Sequence, residues 1–293
     1  NLEGRANGNI HFGGRIENPY LLGSAILEDA SFVVDYTKVK YKIENGGVIQ
    51  FNNEGIDFGN LTVSDRLNRK ANFKGRILNQ GFKHLEYDIE MTSPKIELLN
   101  TDVLDNASFY GKAVGKASMT IKGAEENIKM TISADVNDSS HIYLPNTTSR
   151  ESGKSDFIVF KKYGKTAIKS ADVPTYNLLV DLEVTANNKT QIDVIMDELT
   201  GEVIKGVGNG RIKIKAGNIE PLSIRGKFNI ESGNYDFNFQ SFIKKPFELI
   251  AEAGNFIEWT GNPNDAVIHI DARYTAERVS LNELVGSANF SNA

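Results

Sequence analysis

Nearly every long segment of this chain alternates apolar and polar residues with a period of two. In "TKVKYKIENGG" Val39, Tyr41 and Ile43 share one face, while Lys38, Lys40 and Lys42 share the other. "ENIKMTISADV" puts Ile128, Met130, Ile132, Ala134 and Val136 on one side, and "LLVDLEVT" does the same with Leu178, Val180, Leu182 and Val184. In "GRIKIKAG" Ile212 and Ile214 alternate with Arg211, Lys213 and Lys215. Side chains change faces at every strand residue, so this pattern dictates strands with one dry and one wet face. Long helical windows are absent; "ERVSLNELVG", closed by Gly286, is the best short candidate. Glycine–asparagine breaks at residues 45–47, 59–60 and 232–234 read as hairpin chemistry. The stretch "FIEWTGNPNDAVIHIDARY" (256–274) reads as a further hairpin, with the lone Trp259 on its first strand. The expected class is all-β and mostly antiparallel.

The strands recur in a larger unit. Gly-x-x-x-Gly pairs at Gly4/Gly8, Gly111/Gly115 and Gly206/Gly210 open similar strands, at spacings of 107 and 95 residues. "YDIEMTSPKIELLNTD" matches "VDLEVTANNKTQIDVIMD" with Asp88 and Asp181 aligned, and "ENGGVIQF" (44–51) matches "EAGNFIEW" (252–259), so Phe51 falls where Trp259 does. One continuous domain, residues 1–293, of about three units is expected: 1–86, 87–177 and 178–293, with a Ser/Lys/Gly-rich excursion loop at 145–174. Leaving an apolar sheet face of roughly 2,000 Å² wet would forfeit about 50 kcal/mol at ~25 cal/mol per Å², several times a domain's net stability. Such a face must close as a sandwich or barrel, pack in a solenoid, lie in a membrane, or curl around an apolar ligand. Solenoid coils repeat at roughly 20–30 residues, far from the period here. A membrane barrel turns its apolar band outward between aromatic girdles, whereas the lysine-rich alternate face here belongs in water.

Composition narrows the job. Thirty-three basic against thirty-eight acidic residues, net −5, leave no chain-wide footprint for nucleic acid. No run approaches the ~20 apolar residues of a membrane helix, and no signal peptide is visible. Zero cysteines remove disulfides, thiolate metal sites and thiol nucleophiles. "GKAVGKAS" (111–118) is one residue short of a phosphate-binding loop and is followed by an alternating strand instead of a helix. "DVNDSSH" (135–141) starts like a calcium loop but has Ser140 where glycine is needed, and reads as a hairpin turn. His269 shares a polar face with Asp271 and Arg273, but no serine or lysine nucleophile is pointed to. No catalytic constellation, metal site or cofactor follows, and the chain is read as non-enzymatic.

The C-terminal third carries a resemblance. Gly233, Tyr235 and Phe237 form a Gly-x-Tyr-x-Phe strand; Phe247 ends a linker; Gly254, Ile257, Trp259, Gly261, Pro263 and Ala266 form a Gly-x-x-Ile-x-Trp-x-Gly-x-Pro-x-x-Ala run; Ala272 and Tyr274 close the next strand. Order and spacing over this stretch resemble the C-terminal domain of the TamB family, in an Asn-, Lys- and Ile-rich, Bacteroidetes-type member. The resemblance implies an AsmA-like repeating-β-groove protein: a long twisted sheet curled into an open, taco-like groove with an apolar concave face. It also implies a periplasmic conduit for phospholipids between inner and outer membranes. Its partners would be phospholipid acyl chains, a TamA-like outer-membrane assembly barrel, and the inner membrane through an anchor outside this stretch. Family members continue beyond the point where this chain stops at "SANFSNA", so a fragment of a longer protein is expected. A structural or adhesive cell-surface repeat protein without lipid transport is the alternative.

The candidate groove-lining residues follow the dry faces: Val39, Tyr41 and Ile43; Ile89 and Met91; Ile128, Met130 and Ile132; Leu182 and Val184; Ile212 and Ile214; Tyr235, Phe237 and Phe239; Ile257 and Trp259; and Ile268 with Ile270. On the residues alone, ordinary sandwich core is an equal reading of the same list.

Overall fold

A computed structural model describes residues 2–106, 109–137, 140–145, 161–162, 165–166, 177–239, 243–263 and 265–275. Strands are β1 (Leu2–Arg15), β2 (Asn18–Val34), β3 (Val39–Ile43), β4 (Val48–Asn52), β5 (Gly55–Ser64), β6 (Lys70–Gln80), β7 (Lys83–Thr101) and β8 (Tyr110–Ala124). They continue as β9 (Ile128–Val136), β10 (His141–Pro145), the two-residue pair β11 (Lys161–Lys162) and β12 (Lys165–Thr166), β13 (Leu178–Asp197) and β14 (Glu202–Gly217). The last are β15 (Ser223–Phe239), β16 (Ile243–Leu249), β17 (Phe256–Gly261), β18 (Val267–His269) and β19 (Ala272–Arg273). All except β11 and β12 belong to one sheet of seventeen strands, and no α-helix occurs among the described residues. The amphipathic 277–286 stretch, and the excursion at 145–174 apart from Pro145 and the β11–β12 pair, lie outside the described residues.

The sheet is a ladder in sequence order. Each rung pairs antiparallel with the next, with one exception: β9 and β10 run parallel to β13, in one register from Ile128↔Leu178 to Pro145↔Ile195. A parallel partner demands a crossover connection, and this is the point where the excursion was expected. Among the described residues β1 pairs only with β2, and β18 and β19 only with β17 and β16, so the ladder is open at both ends.

Three of the predicted hairpins are kinks within rungs. β3 and β4 both run antiparallel to β2 and both meet β5, so residues 45–47 interrupt one rung. Residues 59–60 mark a register shift inside β5, and 232–234 lie inside β15 beside its shift against β14. The "DVNDSSH" stretch likewise separates β9 from β10, which share β8 as partner. A glycine-rich break can reverse the chain or merely bend it; reversal requires the flanking segments to pair with each other, and here they pair with the same neighbours. The 256–274 stretch is a hairpin as expected, with Ile257 opposite Ile268 and Asn262 Nδ2 donating to Asp265 Oδ2 at 2.8 Å. "GKAVGKAS" is plain strand within β8.

The matched octapeptides occupy matched positions. "EAGN" breaks the β16–β17 rung through a single 3-10 turn (Ala251–Ala253), as "ENGG" breaks β3–β4, with Gly254 and Gly46 at φ 75° and 89°. Phe51 and Trp259 then each face a glycine of the adjacent strand, Gly23 and Gly226, at φ 135° and 136°. A Cβ on Gly226 would come within 2.1 Å of the Arg211 carbonyl oxygen. The strands pack too closely for a side chain there, and a large ring opposite fills the gap.

From β7 to the C-terminal edge the kinks line up across neighbouring rungs, at Ser93/Ile96, between β9 and β10, and at Ala186/Thr190, Val207/Gly208, 250–255 and 270–271. Most of the breaks are closed by a small buried polar side chain. Ser93 Oγ donates to the Lys70 carbonyl at 2.7 Å, and Ser140 Oγ accepts from the Val114 amide at 2.9 Å. Asn255, 1% exposed, accepts from the Asp271 amide at 2.6 Å and donates to the Ile250 carbonyl at 2.9 Å. Asn255→Ala strands the Asp271 amide, while the Ile250 carbonyl keeps the Ala253 amide at 3.1 Å, so a loss of about 1–3 kcal/mol is expected. Hydrogen exchange at the Asp271 amide should accelerate accordingly; unchanged exchange there would sink this account.

A candidate apolar binding face

The registers stack like residues across the sheet. Leu61, Phe73, Met91, Met119, Ile132, Leu182, Ile214 and Ile224 stand opposite one another in successive strands from β5 to β15. One position along, Thr62, Asn72, Thr92, Ser118, Ser133, Glu183, Lys213 and Arg225 form the row on the other face. At ~4.8 Å between strands, the apolar row runs for roughly 34 Å. A second apolar row, Ile89–Ile121–Met130–Val180–Ala216, runs beside it. The wet face carries exposed ion pairs such as Lys74–Glu90 at 3.1 Å and Arg211–Glu183 at 3.2 Å. Pairs of that kind contribute little to stability; they mark the face that water covers.

The apolar face is not uniformly covered. Over β2 to β8 it forms a packed cluster in which Val39, Val63 and Ile96 are fully buried and Met91 is 7% exposed. A second cluster gathers Ile192, Ile204, Phe228, Ile230, Ile257 and Trp259 from β13 to β17, and Leu99, Ala113 and Val136 bridge the two. Met119 packs against the first cluster and Ile224 against the second; between them Ile121, Met130, Ile132, Val180, Leu182 and Ile214 are only half-buried and belong to neither.

Of the candidate residues, Val39, Tyr41, Ile43, Ile89, Met91, Ile128, Ile257 and Trp259 are buried. Met130, Ile132, Leu182, Val184, Ile212, Ile214, Tyr235, Phe237, Ile268 and Ile270 are half-buried, and the Phe239 side chain lies outside the described residues. Leu61, Phe73, Met119, Ile121, Val180 and Ile224 belong to the same rows and were missed. The signal existed, since "KASMTI" and "LLVDL" place Met119, Ile121 and Val180 in alternation.

A polar clamp secures the packed end. The Tyr41 hydroxyl donates to the Glu97 carbonyl at 2.8 Å, although β5 and β6 stand between β3 and β7. Three strand spacings span roughly 14 Å in a flat sheet, so the sheet bends locally until β3 and β7 meet. Glu97 accepts from Arg66 Nε at 2.9 Å, and its amide donates to Asp65 Oδ2 at 2.9 Å. Arg69 Nε donates to the same Asp65 oxygen at 2.6 Å. Nearby, the Asn100 amide donates to the Thr37 carbonyl at 2.9 Å and the Tyr36 and Phe109 rings meet edge-on at 6.1 Å. Burial pushes the Tyr41 phenol well above its usual range, with the Asp65 and Glu97 charges adding to it.

Burial also pushes the Asp65 carboxyl up, but the Arg69 and Glu97 amides and the Arg69 guanidinium outweigh it and hold Asp65 below its ordinary value. A depressed carboxylate contributes stability above its unfolded value, about 3.9, and loses it as pH falls through the folded value. The stability gap between wild type and Asp65→Asn should therefore be full near neutrality and shrink below about pH 4. Urea midpoints across pH read this out, and a gap independent of pH would contradict it.

No catalytic grouping assembles among the described residues. His269 and Asp271 lie 3.7 Å apart, both about half exposed, as a solvated pair. His84 at the start of β7 and Glu125 and Glu126 in the turn after β8 bring ligand atoms within 4.8 Å of one another, without a buried donor to distinguish them from ordinary surface charges. No helix among the described residues is long and apolar enough to cross a membrane. Neither the curated proteins nor the solved structures contain a match to this chain. The model of the TamB C-terminal domain matches residues 59–290, covering the kinked rungs from β7 onward, the apolar rows and the Trp259 hairpin. The chain belongs to the TamB family, whose role lies in non-enzymatic transport and assembly in the cell envelope.

Proposed function

We propose that the apolar face is the inner wall of a groove that conducts phospholipids between the inner and outer membranes. The observation that carries this reading is the paired rows: an unbroken apolar row on eight strands, backed by an unbroken polar one, and only half-buried where the packed clusters end. A sheet that needed only a core would bury that strip. At ~0.8 kcal/mol per methylene removed from water, covering it with acyl carbon is strongly favourable, yet no single contact is strong enough to stop a chain from sliding. The groove works in the periplasm, anchored to the inner membrane, and delivers to a TamA-like assembly barrel in the outer membrane. Family membership supports the envelope setting.

Solvent extraction and mass spectrometry of the purified protein test the reading. Phospholipid is expected to co-purify in near-stoichiometric amount. Protein that carries none, and takes none from vesicles, would overturn it.

A further inference from the structure

We infer that the acyl-chain site of this segment is the half-buried strip on β8, β9, β13 and β14, that it holds a single chain, and that the Tyr41–Glu97 clamp stops the chain at β7. The inference rests on the lipid reading above and adds where the lipid lies, how much is held and what bounds it.

Length argues for one chain. Four strands, from Ile121 on β8 to Ile214 on β14, give at ~4.8 Å spacing a strip of roughly 14 Å. One leaflet's chains span half of a ~30 Å hydrocarbon core, about 15 Å. Width agrees, because two adjacent rows on one strand face lie ~7 Å apart, room for one chain beside the side chains and not for two. Chemistry agrees as well. Ile121, Met130, Ile132, Val180, Leu182 and Ile214 present no charge, and Met130 has the unbranched, adaptable side chain that fits a moving ligand.

The ends are closed by different means. Beyond β14 the face is filled: Ile224 on β15 packs against the cluster of Trp259 and Ile257, which are 8% and 1% exposed. Toward the N-terminal rungs Val63 and Ile96 are fully buried, and the clamp holds β3 against β7 with Glu97 and Asp65 at 2% and 5% exposure. A chain moving along the row from Ile132 through Met119 therefore meets packed side chains at Met91. Passage further requires β3 and β7 to part, and that means breaking the Tyr41 hydrogen bond first.

The test is photocrosslinking in the full chain, with p-benzoylphenylalanine placed singly at Ile132, at Ile214 or at Phe32, whose ring lies 5.5 Å from that of Tyr41. Each protein is loaded from phosphatidylethanolamine/phosphatidylglycerol vesicles bearing tritiated palmitoyl chains. Lipid adducts are expected at Ile132 and Ile214, with at least a tenfold weaker adduct at Phe32. Tyr41→Phe should raise the Phe32 adduct severalfold, and free palmitate should saturate the unlabelled wild-type protein at one chain per molecule. Equal labelling at Phe32 and Ile214, or no response to Tyr41→Phe, overturns the stop at β7. Adducts of Ile132 and Ile214 with the protein's own chain, co-purifying lipid that labels neither position, or a stoichiometry of two overturns the single-chain site. Failure of the protein to carry any lipid on extraction is a separate result, and overturns the lipid reading itself.

Discussion

Ile214→Asp is expected to lower lipid transfer between vesicles by about 100-fold while the sheet stays folded. Ile214 stands in the middle of the apolar row, with Leu182 opposite on one side and Ile224 on the other. It is half-buried, so in the empty protein an aspartate can keep part of its hydration and the fold survives. Loading a chain removes that water. No cation shares the apolar row, and an unpaired carboxylate buried this way costs several kcal/mol. A penalty of ~3 kcal/mol corresponds to roughly two decades in occupancy. Lys213→Asp is the matched control, since it puts the same charge one residue away on the wet face. Its transfer rate should stay within a factor of about two, because exposed charges couple weakly to a distant apolar site. Equal transfer by Ile214→Asp and wild type would remove the row from the lipid path.

The alternation that foretells this experiment was legible in the sequence, because side-chain direction in a strand depends only on residue parity. Ile214 and Lys213 had to fall on opposite faces whatever the topology. Coverage was not legible in the same way. Tyr41 and Ile214 carry the same local pattern, yet Tyr41 is buried against β7 and Ile214 is half-open. The difference lies in what folds over them, and Tyr41 meets Glu97 across 56 residues of sequence. The kinks failed for a related reason. Asn45, Gly46 and Gly47 specify a backbone that departs from the strand, and only the partners of β3 and β4 decide whether the chain turns back or carries on. The parallel junction at β13 had no local signature, since parallel and antiparallel strands with one dry face share the same period.

Trp259→Ala is expected to destabilise the C-terminal rungs by about 3–5 kcal/mol, the range for removing a large buried aromatic. The indole is 8% exposed, packs with Phe228 and Ile257, and stands opposite Gly226, where β14 and β15 approach too closely for any side chain. Neighbouring side chains cannot collapse into the vacated space without pulling β17 onto the Gly226 backbone, so most of the cavity persists. Each rung of the ladder touches mainly its neighbours, so the loss should stay local. Hydrogen-exchange protection is expected to fall in β15 and β17 and to hold in β5 to β7. Trp259→Phe restores a ring opposite the glycine and should recover much of the protection, as Phe51 does opposite Gly23. Gly226→Ala should reproduce the damage from the other side, because its Cβ would sit 2.1 Å from the Arg211 carbonyl oxygen at a φ of 136°. These variants also decide what kind of residue Trp259 is. A packing residue loses protection first, and lipid transfer only as far as the rungs open. A groove-lining residue would lose transfer with protection intact, and that result would move the end of the acyl strip from β14 out to β17.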